Sequence, residues 1–157
     1  MLQEFRKDNA VITDTSCFIL LDKIGAFTVL HQLYQNVITT PQIAKEFGSA
    51  LPDWVIIQAV TNTDLLNTYA EKVDLGEASA IALSFELPSA LLIIDDLKGR
   101  RLAEQLNLKH TGTLGILIMA KQQGVITLLK PYFENIKATN FRVSHKLLDS
   151  ILVASGE

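Results

Sequence analysis

Apolar and polar positions follow two rhythms along the chain. Val11-Ile12-Thr13 is a short β-rich run closing on Asp14-Thr15-Ser16, and Cys17, Leu20, Leu21 and Ile24 then recur at helical spacing. Strand, turn and helix are therefore predicted in that order. Gly25 punctuates, a second helix is expected from Ala26 to Gln35 with Phe27, Leu30, Leu33 and Tyr34 inward, and Val37-Ile38-Thr39-Thr40 is a second strand. Thr40 before Pro41 is a helix start, a capping hydroxyl followed by proline at the first helical position, and this helix stops at Gly48. Trp54 to Ala59 fits a strand or a short buried segment equally well. A helix capped by Thr63 or Asp64 runs to about Lys72, and another from Gly76 to Glu86.

Ala90-Leu91-Leu92-Ile93-Ile94 is a continuous apolar run closing on Asp95-Asp96, as expected of a parallel strand covered on both faces and placed at the sheet centre. A helix from Leu97 to Leu106 and a short strand Leu108-Lys109-His110-Thr111 lead into Gly112-Thr113-Leu114-Gly115. The helix Leu114 to Gln123 ends at Gly124, a natural left-handed cap, and helical segments Thr127 to Ile136 and Ser144 to Ala154 finish the chain. Strands alternating with helices, without a hairpin signal such as Asn-Gly, predict an α/β fold, a parallel sheet with helices on both faces.

Composition narrows the class. The 157 residues suit one domain spanning 1–157, and 48% hydrophobic with 20% charged residues excludes a disordered or fibrous chain. The longest apolar runs fall far short of the ~18–20 residues that cross a bilayer, so no membrane span is expected. The mixed charge of Met1-Leu2-Gln3-Glu4-Phe5-Arg6-Lys7-Asp8 is unlike a signal peptide, which points to a cytoplasmic protein. Cys17 is the one cysteine, so no internal disulfide forms, and its expected place is the core. His31, His110 and His145 are too scattered for a zinc site. A net charge of −3 argues against coating nucleic acid by bulk charge and leaves room only for a local basic patch.

Chemistry is sought where a parallel sheet gathers it, beyond the carboxyl ends of its strands. Asp14 ends one strand and Asp95-Asp96 another; alone, each reads as a helix cap, but together they would repel unless a cation such as Mg²⁺ or Mn²⁺ lay between them. Glu77, just inside the helix that opens at Gly76, suits either the helix dipole or a metal. Glu46 alone reads as a solvated charge. Thr111-Gly112-Thr113 offers hydroxyls and amides at a helix start, a hydrogen-bonding edge for phosphate or for water on a metal. Neither a P-loop nor a Gly-x-Gly-x-x-Gly accompanies them. Lys98, Arg100 and Arg101, with Lys109 nearby in sequence, form either a solvated helix face or a phosphate-holding rim.

In this order the motifs resemble the PIN domain family, and within it the poorly characterised prokaryotic PIN-like branch. The likeness rests on Val11-Ile12-Thr13-Asp14-Thr15-Ser16, Glu46 after the Thr-Pro start, Gly76-Glu77-Ala78-Ser79-Ala80-Ile81, Ile93-Ile94-Asp95-Asp96 with Arg100-Arg101-Leu102-Ala103 behind it, and Thr111-Gly112-Thr113-Leu114-Gly115, and it extends to Ser155-Gly156-Glu157. The resemblance implies about five parallel strands in a three-layer α/β/α arrangement and a Mg²⁺- or Mn²⁺-dependent nuclease, commonly the ribonuclease toxin of a toxin–antitoxin pair. By position it makes Asp14 the first metal-binding acid, Glu46 the second, Glu77 the third, and Asp95 or Asp96 the fourth. Thr15, Ser16, Thr111 and Thr113 would support them, and Lys98, Arg100 or Arg101 would hold backbone phosphates. RNA, or DNA, is the implied substrate, a cognate antitoxin the implied partner, and a homodimer the implied assembly.

Two departures from the family pattern motivate an alternative, a catalytically degenerate PIN-like module that binds nucleic acid or protein. Glu77 stands where an aspartate is usual, and Ile-Asp-Asp replaces the usual Thr/Ser-x-Asp before the fourth acid. A receiver-like phosphoacceptor domain also gathers carboxylates at strand ends, but its acidic pair comes early in the chain, whereas here the pair is late.

Overall fold

The computed structural model describes residues 10–157, so the N-terminal residues that argue against a leader lie outside the described part. Five strands, β1 (Ala10–Thr13), β2 (Asn36–Thr39), β3 (Val55–Ile57), β4 (Leu91–Ile93) and β5 (His110–Thr111), form one sheet in the order β3-β2-β1-β4-β5, every pair parallel. The described helices are α1 (Thr15–Lys23), α2 (Phe27–Leu33), α3 (Pro41–Phe47), α4 (Thr63–Ala70), α5 (Leu75–Glu86), α6 (Leu97–Gln105), α7 (Thr113–Gln122), α8 (Lys130–Lys137) and α9 (His145–Ala154). The result is the three-layer α/β fold that the alternation of strands and helices predicts.

The sheet centre is corrected. β1 occupies it, and the apolar run of β4 is the next strand out. Both have a partner on each side and both are covered, with Val11, Ile12, Leu92 and Ile93 fully buried, so an unbroken apolar run cannot distinguish them. The ambiguous segment after Trp54 is the edge strand β3, whose Ile56 and Ile57 stay exposed; one-sided cover explains its indistinct pattern.

Helix starts shift where a better cap lies upstream. Asn62 accepts from the Leu65 amide and caps α4, in place of Thr63 or Asp64. Asp74 accepts from the Glu77 amide and caps α5, which therefore opens before Gly76. The segment expected to be helical from Thr127 becomes helix only at Lys130, with Pro131 in its first turn. Thr40 and Pro41 open α3 as expected, and Gly48 closes it at φ 74°, a left-handed conformation that favours glycine.

Burial is deepest around α5, which is buried from Gly76 through Ser84 and packs on β1 and β4 beside α3 and α4. Each large side chain hidden here, such as Ile81 or Leu83, contributes roughly 1.5–3 kcal/mol. That packing drives the N-terminal turn of α5, and Glu77 with it, into the protein. Among the described residues no single helix is long and apolar enough to cross a membrane; the bent pair α1 and α2 spends its apolar positions on the core.

Candidate functional site

Strand register brings the acids together. Thr13 lies opposite Ile93, and the ladder continues one residue further as the Asp14 amide donates to the Ile93 carbonyl at 3.1 Å. On the other side of β4 the Ile94 amide donates to the Thr111 carbonyl at 2.9 Å. Asp14, Asp95 and Thr113 thus leave three adjacent strands at the same sheet edge, where α1, α6 and α7 begin.

Asp14 is both a cap and a cluster member. Its Oδ1 accepts from the Cys17 amide at 2.9 Å and its Oδ2 from the Asp95 amide at 3.0 Å. Asp95 in turn accepts from the Thr113 amide at 2.8 Å and from the Thr113 hydroxyl at 2.5 Å. The Asp95-Asp96 doublet divides its work: Asp95 turns toward Asp14, while Asp96 caps α6 through the Gly99 amide at 3.2 Å. Cys17 is fully buried as expected, yet it is not merely core. Its sulfur and one oxygen each from Asp14 and Asp95 lie within 4.8 Å of one another, a group able to hold a metal ion.

Two further acids approach from α3 and α5. Glu46 is exposed, but its Oε2 accepts from the Thr15 hydroxyl at 2.8 Å. Glu77 is buried at the start of α5. Glycines make room for three of these carboxylates. A Cβ at Gly76 would stand 2.5 Å from Glu46 Oε1, one at Gly112 would stand 2.8 Å from Asp95 Oδ1, and one at Gly99 would strike the Ile94 side chain and lie 3.3 Å from Glu77 Oε2.

The electrostatics are those of acids short of cations. Burial first, then the Asp95 charge, pushes the Asp14 carboxyl well above the usual carboxylate range, against the two amides that favour its anion. Burial also raises Asp95, opposed by the Thr113 hydroxyl and amide and by the Arg100 charge. Glu77 is raised to about 8 by burial and by the charges of Asp74, Asp96 and Asp14. Burial and the charges of Asp95 and Asp14 raise the Cys17 thiol, so it stays protonated at neutral pH. A divalent cation fits this set: it would relieve the repulsion that raises the carboxyls, and their oxygens are the donors Mg²⁺ and Mn²⁺ prefer.

The remaining expected residues fall around this centre. Lys98 and Arg101 border a cleft of about 580 Å³ together with Glu77, Asp74 and Asp96. Arg100 Nη1 lies 3.5 Å from where a Cβ at Gly112 would be, on the Asp95 side. Ser16 lines a second cleft, of about 550 Å³, that also holds Asp95 and Asp96. Thr111 is turned to Gly115, and the hydroxyl that reaches an acid is that of Thr113.

Sequence reasoning missed four residues. Asp74 carries a signal, an acid three residues before Glu77 at a helix start. Cys17 carries a weaker one, since a residue three after an N-cap folds back beside the cap. Lys23 and Arg142, which line the second cleft, carry none; the irregular chain after α8 has no periodicity to place Arg142.

Residues 10–157 match the family profile described as a PIN domain. No curated protein matches the chain.

Proposed function

The chain belongs to the PIN domain family, whose members are generally metal-dependent nucleases, and from that premise we propose that it is a metal-dependent endoribonuclease hydrolysing phosphodiester bonds. The observation that carries this reading is the convergence of two carboxylates, the buried Asp14, braced by the Asp95 amide, and the half-buried Asp95, braced by Thr113.

In this reading Asp14 and Asp95 hold the cation, with Mg²⁺ and Mn²⁺ the favoured species. The cation supplies electrostatic stabilisation of the charge that develops on the attacking and leaving oxygens. The Asp14 carboxylate is fixed by the Cys17 and Asp95 amides, so its orientation is set before anything binds. Thr113 does the same for Asp95. Glu77, buried and held neutral, ionises once positive charge comes near, which makes it a further acid of the set. Glu46 and Asp96 stand at its margins, with Thr15 and Ser16 supporting. Lys98, Arg100 and Arg101 hold the phosphates, giving affinity without reading sequence. The finer proposal is a toxin of a toxin–antitoxin pair, homodimeric, acting on RNA rather than DNA in the cytoplasm; the resemblance of its ordered motifs to that group supports it.

The test is cleavage of a structured RNA by the native chain and by Asp14→Asn, purified in parallel, with Mn²⁺, with Mg²⁺ and with EDTA. Cleavage by the native chain with metal, reduced at least ~100-fold in Asp14→Asn, is expected. Equal cleavage by both, or none by either, would sink the reading.

A further inference from the structure

We infer that the cleft between α1, the start of α6 and the chain after α8 is a subsite for one unpaired nucleotide of the substrate strand, its base against Phe141 and its phosphate on Lys23 and Arg142. The inference deepens the nuclease reading and rests on it.

The cleft holds about 550 Å³ and shares Asp95 and Asp96 with the acidic centre, so whatever fills it lies against the reactive edge. Its size is that of a small-ligand pocket. Its walls are of two kinds. Ile19 and Leu97 keep 38% and 60% of their surface exposed, and with Phe141 they form an apolar lining in the cleft. Beside them Lys23 and Arg142 make no ion pair or side-chain hydrogen bond among the described residues. In a chain with net charge −3, cations left unpaired next to carboxylates are held ready for an anion that comes from outside.

An aromatic ring with flanking cations is how proteins take up single-stranded nucleic acid, the ring stacking a base and the cations following the backbone. A paired base offers no free face to Phe141, because its neighbours in the duplex cover it. The substrate class is therefore an unpaired strand, bound with little sequence preference. Asp96 and Leu97 also border the cleft that holds Lys98 and Arg101. A strand crossing that ridge would keep its next phosphates on those two bases while one nucleotide occupies the Phe141 cleft.

The test reads binding without turnover. Backbone amide shifts of the full ¹⁵N-labelled chain are followed in EDTA while adenosine 5′-monophosphate, ribose 5-phosphate or a hexaadenylate is added. The expected result is movement at Ile19, Lys23, Leu97 and residues 139–142, with ribose 5-phosphate binding more weakly than the nucleotide. Phe141→Leu, which keeps apolar volume but loses the ring, should weaken the nucleotide and the hexaadenylate about tenfold or more and leave ribose 5-phosphate unchanged. Arg142→Gln should weaken all three. Shifts confined to other residues, or Phe141→Leu binding as the native chain does, would overturn the subsite. So would shifts at these residues that depend on protein concentration alone, which would give the cleft to a protein partner. EDTA excludes hydrolysis, so failure here leaves the nuclease reading to the Asp14→Asn assay, and binding here with no cleavage there would reject catalysis and keep the subsite.

Discussion

The Asp95 amide donates to Asp14 Oδ2 at 3.0 Å, so the backbone of one acid supports the charge of the other while their carboxylates repel. The arrangement follows from the parallel register of β1 and β4, and at a pH where both acids are ionised it stores an electrostatic cost that a bound cation or a proton removes.

That cost sets a pH dependence. Asp14 is raised from its ordinary 3.8, and Glu77 from 4.5, each to about 8. Between those limits the folded chain binds more protons than the unfolded chain, so stability falls as pH rises through this window. In EDTA the melting temperature should drop by at least about 5 °C from pH 5 to pH 8. Mn²⁺ should restore most of the loss at pH 8 and little at pH 5, where protons already occupy the carboxyls. A flat melting profile in EDTA would mean that the acids are not held neutral.

Thr113 acts on the site through Asp95. Thr113→Val keeps the shape but removes the hydroxyl that bonds Asp95, so the carboxyl should rise further and bind a cation less well. Mn²⁺ affinity should fall about 10- to 100-fold, the usual cost of losing a group that orients a ligand. Titration calorimetry measures it, and the difference should shrink as pH rises, because protons then compete less with the cation in both proteins.

Much of this was legible before the structure. Asp14 and Asp95-Asp96 could be paired because β-rich runs ending in acids, alternating with helices, place those acids at one edge. Which of Asp95 and Asp96 turned inward could not be read, since strand alternation ends at Ile93 and the N-cap of α6 could have been either. The centre of the sheet was misplaced because burial on both faces looks alike in β1 and β4. Glu77 was singled out but not Asp74, which caps the same helix, and the glycines over Glu46, Glu77 and Asp95 were read as parts of helix starts or not at all. Their role is a close approach in space between chain segments that the sequence keeps apart.

Gly76 separates stability from function. It is the second residue of α5, in the first turn, where alanine is still the better helix former. The atoms nearest the added Cβ are those of the Glu46 carboxylate, the far end of an exposed side chain that can swing away by giving up its bond from the Thr15 hydroxyl. Gly76→Ala should therefore melt no lower than the native chain and yet cleave RNA several-fold more slowly. Unchanged cleavage would place Glu46 outside the working site.

Glu157 should show the opposite pH behaviour, and so it provides a control on the acidic centre. Loss of water around its carboxylate would raise it, but the Lys121 ammonium and the Leu129 and Lys130 amides overcome this and hold it down at about 2. A depressed group stabilises the fold above its ordinary 4.5 and loses that effect as pH falls toward 2. Glu157→Gln should therefore melt lower than the native chain at pH 6, with the difference narrowing from pH 5 to pH 3. Metal should not change the difference, because the latch ties α7 to the start of α8 and touches none of the acids at the sheet edge. Hydrogen exchange at the Leu129 and Lys130 amides should quicken in the variant at pH 6, since both have lost their charged acceptor. Exchange that quickens instead at Cys17 or Asp95 would show that the latch and the acidic centre are coupled, and the pH profile of the native chain would then have to be divided between them.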